Sequence, residues 1–170
     1  MRRILLPLLG FGILAVACQQ PTPIEKAAPE FSTASVKAVL DSMNKTYDGR
    51  FRDSTTAYFA ARYTNDACVF APNMPRVCGI DAITKFYWWN GDSQTTTLDI
   101  KGEEVSGTAT EVTEVGNYRV IDDEGTQLDA GKFIAIYRND GGTWKVHREI
   151  WNSDIALPEP GAPGEEAAQP

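Results

Sequence analysis

Four long runs rich in threonine, valine, isoleucine and aromatics dominate the second half of the chain: residues 95–105, 108–121, 128–138 and 143–155. Ser106-Gly107, Asp123-Glu124-Gly125 and Asp140-Gly141-Gly142 separate them. Such runs, joined by turn chemistry too short for a crossover, read as consecutive antiparallel strands. Ahead of them the spacing is helical. Val36, Val39, Leu40, Met43, Tyr47 and Phe51 fall on one face of a first helix. Asp53 or Ser54 caps a second helix through Arg62, with Ala57, Tyr58 and Ala61 as its apolar stripe. Residues 67–71 read as a short strand, and Pro72-Asn73-Met74-Pro75 as a loop. Asp81 starts a third helix carrying Ile83, Phe86 and Tyr87, which Asn90-Gly91 ends; the adjacent Trp88 and Trp89 cannot share a face of it. Three helices followed by four antiparallel strands predict an α+β fold. Its helices pack on one face of a strongly curved sheet, enclosing a cone-shaped pocket.

The segments outside residues 36–156 carry an address. Met1-Arg2-Arg3 precedes an apolar run from residue 4 to 16, the pattern of a signal peptide over residues 1–17. The run is shorter than the about 20 apolar residues a membrane-spanning helix needs. Leu14-Ala15-Val16-Ala17-Cys18 resembles the bacterial lipobox, which implies lipid on Cys18. By resemblance to Gram-negative lipoproteins, Gln19 behind it implies the outer membrane, facing the periplasm. Acylation by two or more chains anchors stably where one does not. Residues 18–35, with Pro21, Pro23 and Pro29, read as a flexible tether, and residues 157–170 as a disordered tail.

Charge and cysteine usage narrow the function. Sixteen basic residues against 23 acidic ones give a net charge of −7, the opposite of a nucleic-acid-binding surface. One histidine and three cysteines are too few for most metal clusters, so neither a metal nor a cofactor is expected. Asp122-Asp123-Glu124 reads as a solvated turn, short of the oxygen ligands that calcium takes. Cys68 and Cys78 flank a loop that must turn back at its prolines, and an oxidising compartment favours their pairing. The alternative is two buried free thiols.

Residues 36–156 resemble the SnoaL-like group of the nuclear transport factor 2-like superfamily, also called cystatin-like. Residues 63–69 (YTNDACV), 79–87 (GIDAITKFY), 131–137 (GKFIAIY) and 142–154 (GTWKVHREIWNSD) carry the likeness. It implies the cone-shaped fold and, by the habit of relatives, a homodimer through the sheet. It says little about activity, because the fold hosts isomerases, hydrolases, cyclases and non-enzymes. Ketosteroid isomerase is the superfamily enzyme whose chemistry can be compared position by position. The resemblance puts Tyr47 at its phenol donor and Tyr63 and Tyr87 at the supporting tyrosines. It puts Ala71 at the general base and Phe133 at the second, protonated acid. Without the base, that proton abstraction has no acceptor.

The last strand is ambiguous on its face. Alternation groups Lys145, His147, Glu149 and Trp151 on one side, and Trp144, Val146, Arg148 and Ile150 on the other. Period alone turns the apolar second set inward; the resemblance turns Glu149 and Trp151 inward. On the latter reading His147 and Glu149 lie about 7 Å apart and could act as general base and acid. The alternative is a rim histidine and a glutamate paired with Lys132 or an arginine. The expected function is an envelope-anchored pocket for a small apolar or aromatic ligand, contacted by Tyr47, Tyr63, Tyr87, Lys132 and Trp151. An acid–base isomerase, cyclase or hydrolase using Glu149 and His147 is the second possibility, and a protein-interaction domain of the envelope the third.

Overall fold

The computed structural model describes residues 30–47, 56–89 and 96–156. The leader, Cys18, most of the tether, Phe51, the Asp53/Ser54 cap, Asn90-Gly91 and the tail lie outside these residues. Three helices, α1 (Thr33–Lys45), α2 (Thr56–Arg62) and α3 (Ile80–Trp89), pack on a six-stranded sheet. Its strands are β1 (Tyr63–Phe70), β2 (Val77–Cys78), β3 (Thr96–Gly107), β4 (Glu111–Asp122), β5 (Gln127–Asp140) and β6 (Thr143–Ser153), in the order β2-β1-β6-β5-β4-β3. The α+β expectation holds, and the four long strands pair antiparallel in sequence order. Composition did not reveal the rest of the sheet. β1 joins β6 in parallel and β2 adds an antiparallel edge. The chain between β1 and β6 supplies the long crossover that a parallel pair requires.

Helix α1 begins where the Ser32 hydroxyl accepts from the Ser35 amide at 3.4 Å. Val36 and Leu40 are buried four residues apart, but Val39 is 47% exposed and does not belong to the core face. Lys37 pairs with Asp41 one turn on, at 2.7 Å, and also donates to the Gly102 carbonyl at 3.0 Å, which ties α1 to β3. The stripe expected on α2 is likewise corrected. Ala57 and Ala61 are exposed, while Phe59 and Arg62 are buried. β1 follows α2 with no intervening loop, so Tyr63 continues the buried set at the helix–strand junction, and the strand starts earlier than residue 67. The side chain that packs is Phe59, which stacks on Tyr87 with ring centroids 5.4 Å apart.

The β5–β6 hairpin closes with two residues, Gly141 at φ 59° and Gly142 at φ 95°. Positive φ at both positions is what a tight turn compatible with strand twist demands, and glycine supplies it without strain.

Cys68 and Cys78 face each other across β1 and β2 and form the disulfide, with Cα atoms 4.1 Å apart. Closing so short a loop stabilises by roughly 3 kcal/mol on the chain-entropy view. A Cys68→Ala/Cys78→Ala chain should therefore melt about 10 °C below the parent without reductant. The gap should vanish when both are reduced; a gap that persists in full under reductant would mean the cysteines act through packing instead.

Candidate functional site

The sheet alternation builds the site. On β4, Val112, Glu114, Gly116 and Tyr118 point inward; on β5, Gly131, Phe133, Ala135 and Tyr137 do. On β6 the alternation breaks. Tyr137 pairs with Val146 but Ile136 pairs with Arg148, so His147 is an extra residue, a β-bulge. Trp144 and Val146 are buried before the bulge, and Glu149 and Trp151 face the interior after it. Each of the two opposed readings of this strand was right for one half. A slip of one residue turns every later side chain to the other face.

The bulge separates His147 from Glu149. His147 is 5% exposed, with Nδ1 at 3.1 Å from Thr64 Oγ1, 3.1 Å from Arg148 and 3.4 Å from Asp66, away from the cavity. Burial, and then Arg148 beside it, pull the imidazole below its ordinary value, so it is neutral at neutral pH. The expected shared-face pair does not form. Lys132 is also displaced: it lies on the outer face at 67% side-chain exposure and pairs with Asp154, because its neighbours Gly131 and Phe133 hold the inward positions.

A cavity of about 170 Å³ opens between the helices and the concave face of the sheet. Its inner end is polar, with Tyr47, Arg62, Tyr87 and Glu149. Its outer collar is mainly apolar, with Leu98, Ile100, Val120, Phe133 and Trp151, and also carries Tyr118 and Asp129, whose carboxylate accepts from the Tyr118 and Ser153 hydroxyls. Tyr63, fully buried behind them, donates to Glu149 Oε2 at 2.9 Å, and the Tyr87 hydroxyl lies 3.4 Å from that of Tyr63. The structure thus brings Tyr47, Tyr63, Tyr87, Glu149 and Trp151 together. Phe133 lines the cavity and Ala71 does not. Neither of the positions matched to the isomerase's acids carries a titratable group.

Glu149 is only partly buried as a residue, because the cavity reaches it. Burial raises its pKa; Arg62, and then the Tyr63 hydrogen bond, oppose the rise. Burial first, and the Glu149 charge second, push the phenols of Tyr47, Tyr63 and Tyr87 up, so all three are neutral hydrogen-bonding groups.

The sequence did not reveal Arg62, Asn44 and Tyr137 in the cavity wall, nor Glu114 behind them. Glu114 is fully buried, accepting from Asn44 Nδ2 at 3.2 Å and Tyr137 Oη at 2.9 Å. Gly102 makes room for it, since a Cβ there would fall 2.1 Å from Glu114 Oε1. Arg62 is 8% exposed, with its guanidinium carbon 4.2 Å over the Tyr47 ring. The available signals were an acid at an inward alternating position and an arginine between Phe59 and Tyr63. Among the described residues no group of three or more histidine, cysteine, aspartate or glutamate side chains could hold a metal ion.

No family model matches the chain, and no curated protein does. Solved structures do match. One is a protein of unknown function from Nostoc punctiforme with a cystatin-like fold, at TM-score 0.64 and 12% identity over 76% of this chain and 98% of that one. The chain has the cystatin-like fold. An NTF2-like protein of unknown function from Pseudomonas putida is similar at TM-score 0.58 and 17% identity, covering 75% of this chain and 92% of that one. A ketosteroid isomerase-like protein from Erwinia carotovora atroseptica is similar at TM-score 0.55 and 18% identity, covering 70% and 96%. In this cystatin-like chain, the cone expected from the resemblance encloses the cavity just described.

Proposed function

We propose that the chain is a small-molecule-binding module of the cell envelope, held at the periplasmic side of the outer membrane by lipid on Cys18. The observation that carries the binding reading is the cavity itself, a polar inner end within a mainly apolar collar. Its 170 Å³ is close to the roughly 150 Å³ that holds a benzene ring, and well under drug-sized sites. The ligand is therefore small and apolar or aromatic, with a polar group for the inner end. A second reading, acid–base catalysis, is favoured by one observation: a carboxyl with a raised pKa, oriented by a phenol, that the cavity reaches. It now rests on Glu149 without His147.

The module also pairs with a second copy of itself. Val115, Ile134 and Ile150 are exposed, and Ile134 is in register with both of the others. This apolar stripe crosses three strands of the outer face, and a two-fold interface needs one such self-complementary patch.

Native mass spectrometry of the full chain, gently extracted from membranes, tests all three elements. The expected species is a dimer with a small molecule bound. Val120→Trp at the collar should lose the added mass, Ile134→Lys should give a monomer, and Cys18→Ser should leave the membrane fraction. A chain that carries no small molecule, or a mass that survives Val120→Trp, overturns the binding reading.

A further inference from the structure

Arg62 points to the kind of ligand. A guanidinium carries five N–H donors and keeps its charge at any ordinary pH. Here one donor reaches the Met43 carbonyl at 3.4 Å, while Nε is buried with no acceptor. The charge rests on the Tyr47 ring, and no carboxylate among the described residues makes ion-pair contact with it. The two nearby acids take their hydrogen bonds elsewhere, Glu149 from Tyr63 and Glu114 from Tyr137 and Asn44. A buried cation short of acceptors is costly, and a ligand that brings acceptor oxygens removes the cost. A planar two-oxygen group matches the guanidinium fork best. Behind it, Leu98, Ile100 and Trp151 require a ring or a short hydrocarbon.

We propose that the cavity takes a small aromatic or alicyclic carboxylate, its carboxylate on Arg62 and its ring inside the collar. This deepens the binding reading and rests on it.

Binding of such an anion is coupled to a proton. Facing Glu149 are Arg62 from α2, Tyr63 from β1, Tyr47 beyond α1, Tyr87 from α3, Tyr137 from β5 and Glu114 from β4, and the tyrosines are neutral. Of these, Arg62 alone is positive. A ligand carboxylate takes over as its counterion, so Glu149, already raised by burial, picks up a proton. Affinity then increases as pH falls, up to tenfold per unit for one proton.

Calorimetric titration of the full chain with four probes of similar shape tests this: benzoate, benzamide, benzylamine and toluene. Benzoate should bind at least about tenfold tighter than benzamide or benzylamine. It should tighten further from about pH 8 to about pH 6, both above the probe's own carboxyl range. Arg62→Gln should bring benzoate down to the benzamide level, and Glu149→Gln should remove the pH dependence. If Arg62→Gln does not fold, the wild-type pH series and Glu149→Gln decide the question. Benzamide, benzylamine or toluene binding as tightly as benzoate overturns the carboxylate assignment and leaves the binding reading standing. If none of the four binds, both fall.

Discussion

Tyr63→Ala is expected to yield no folded protein. The ring is fully buried against Phe59 and Tyr87, and deleting such a ring costs about 3–5 kcal/mol. That is a large part of the roughly 5–15 kcal/mol that holds a domain together. The substitution also strips Glu149 of its phenol donor, leaving only the Arg62 charge to oppose the burial cost of its carboxyl. Tyr63→Phe keeps the ring and isolates the hydroxyl. Its cost should depend on pH. Glu149 has a raised folded pKa, so ionising it costs stability as pH rises above its ordinary value of 4.5. The Tyr63 hydroxyl offsets that cost by favouring the ionised form. Below pH 4.5 the carboxyl is protonated in both folded and unfolded chains, and the lost bond is worth about 1 kcal/mol. Above the folded pKa the lost bond is to a charged group and is worth about 1.5–3 kcal/mol. Thermal melts of Tyr63→Phe and the parent at about pH 4 and about pH 8 should show the larger gap at the higher pH. An equal gap at both would mean that the Tyr63 hydroxyl contributes independently of the charge on Glu149.

Gly131→Ala should be the other severe change. A Cβ at this position would lie 1.8 Å from the Asn152 carbonyl oxygen on β6 and 2.7 Å from the Tyr118 ring on β4. The first obstacle is backbone, so the strands themselves would have to separate. Tyr118 crosses the glycine to reach Asp129 Oδ2 at 3.0 Å and the Asn152 carbonyl at 3.1 Å, and would lose that position too. Overpacking together with a lost hydrogen bond amounts to about 3 kcal/mol, a fall in Tm of about 10 °C. Trimming the ring with Tyr118→Ala should not rescue the variant, because the carbonyl remains. A melting point for Gly131→Ala within about 2 °C of the parent would show that β5 and β6 have room to spare.

Where local chemistry decides, the order of residues was enough. Strand-forming runs broken by Gly141-Gly142, and by a turn at residues 108–110 just past the expected Ser106-Gly107, which pair inside β3, specify an antiparallel meander, since turn geometry and β-branching act over a few residues. The same holds for Val36 and Leu40 on α1, and for a disulfide whose cysteines flank a short return. The site was half legible. Tyr47, Tyr63, Tyr87, Glu149 and Trp151 were named from resemblance, and they converge. His147 and Lys132 do not join them. A bulge is a register event between β5 and β6, and no pattern within β6 announces it. Only the partner strand determines that Val146 and Glu149, three apart, face the same way. Burial of Arg62 and Glu114 is likewise a tertiary outcome. Alone, each reads as a surface charge. The folded chain keeps Glu114 inside because Asn44, Tyr137 and the gap at Gly102 converge on it from three elements. It holds Arg62 on the Tyr47 ring, at the inner end of a cavity that exists only once helices and sheet have met.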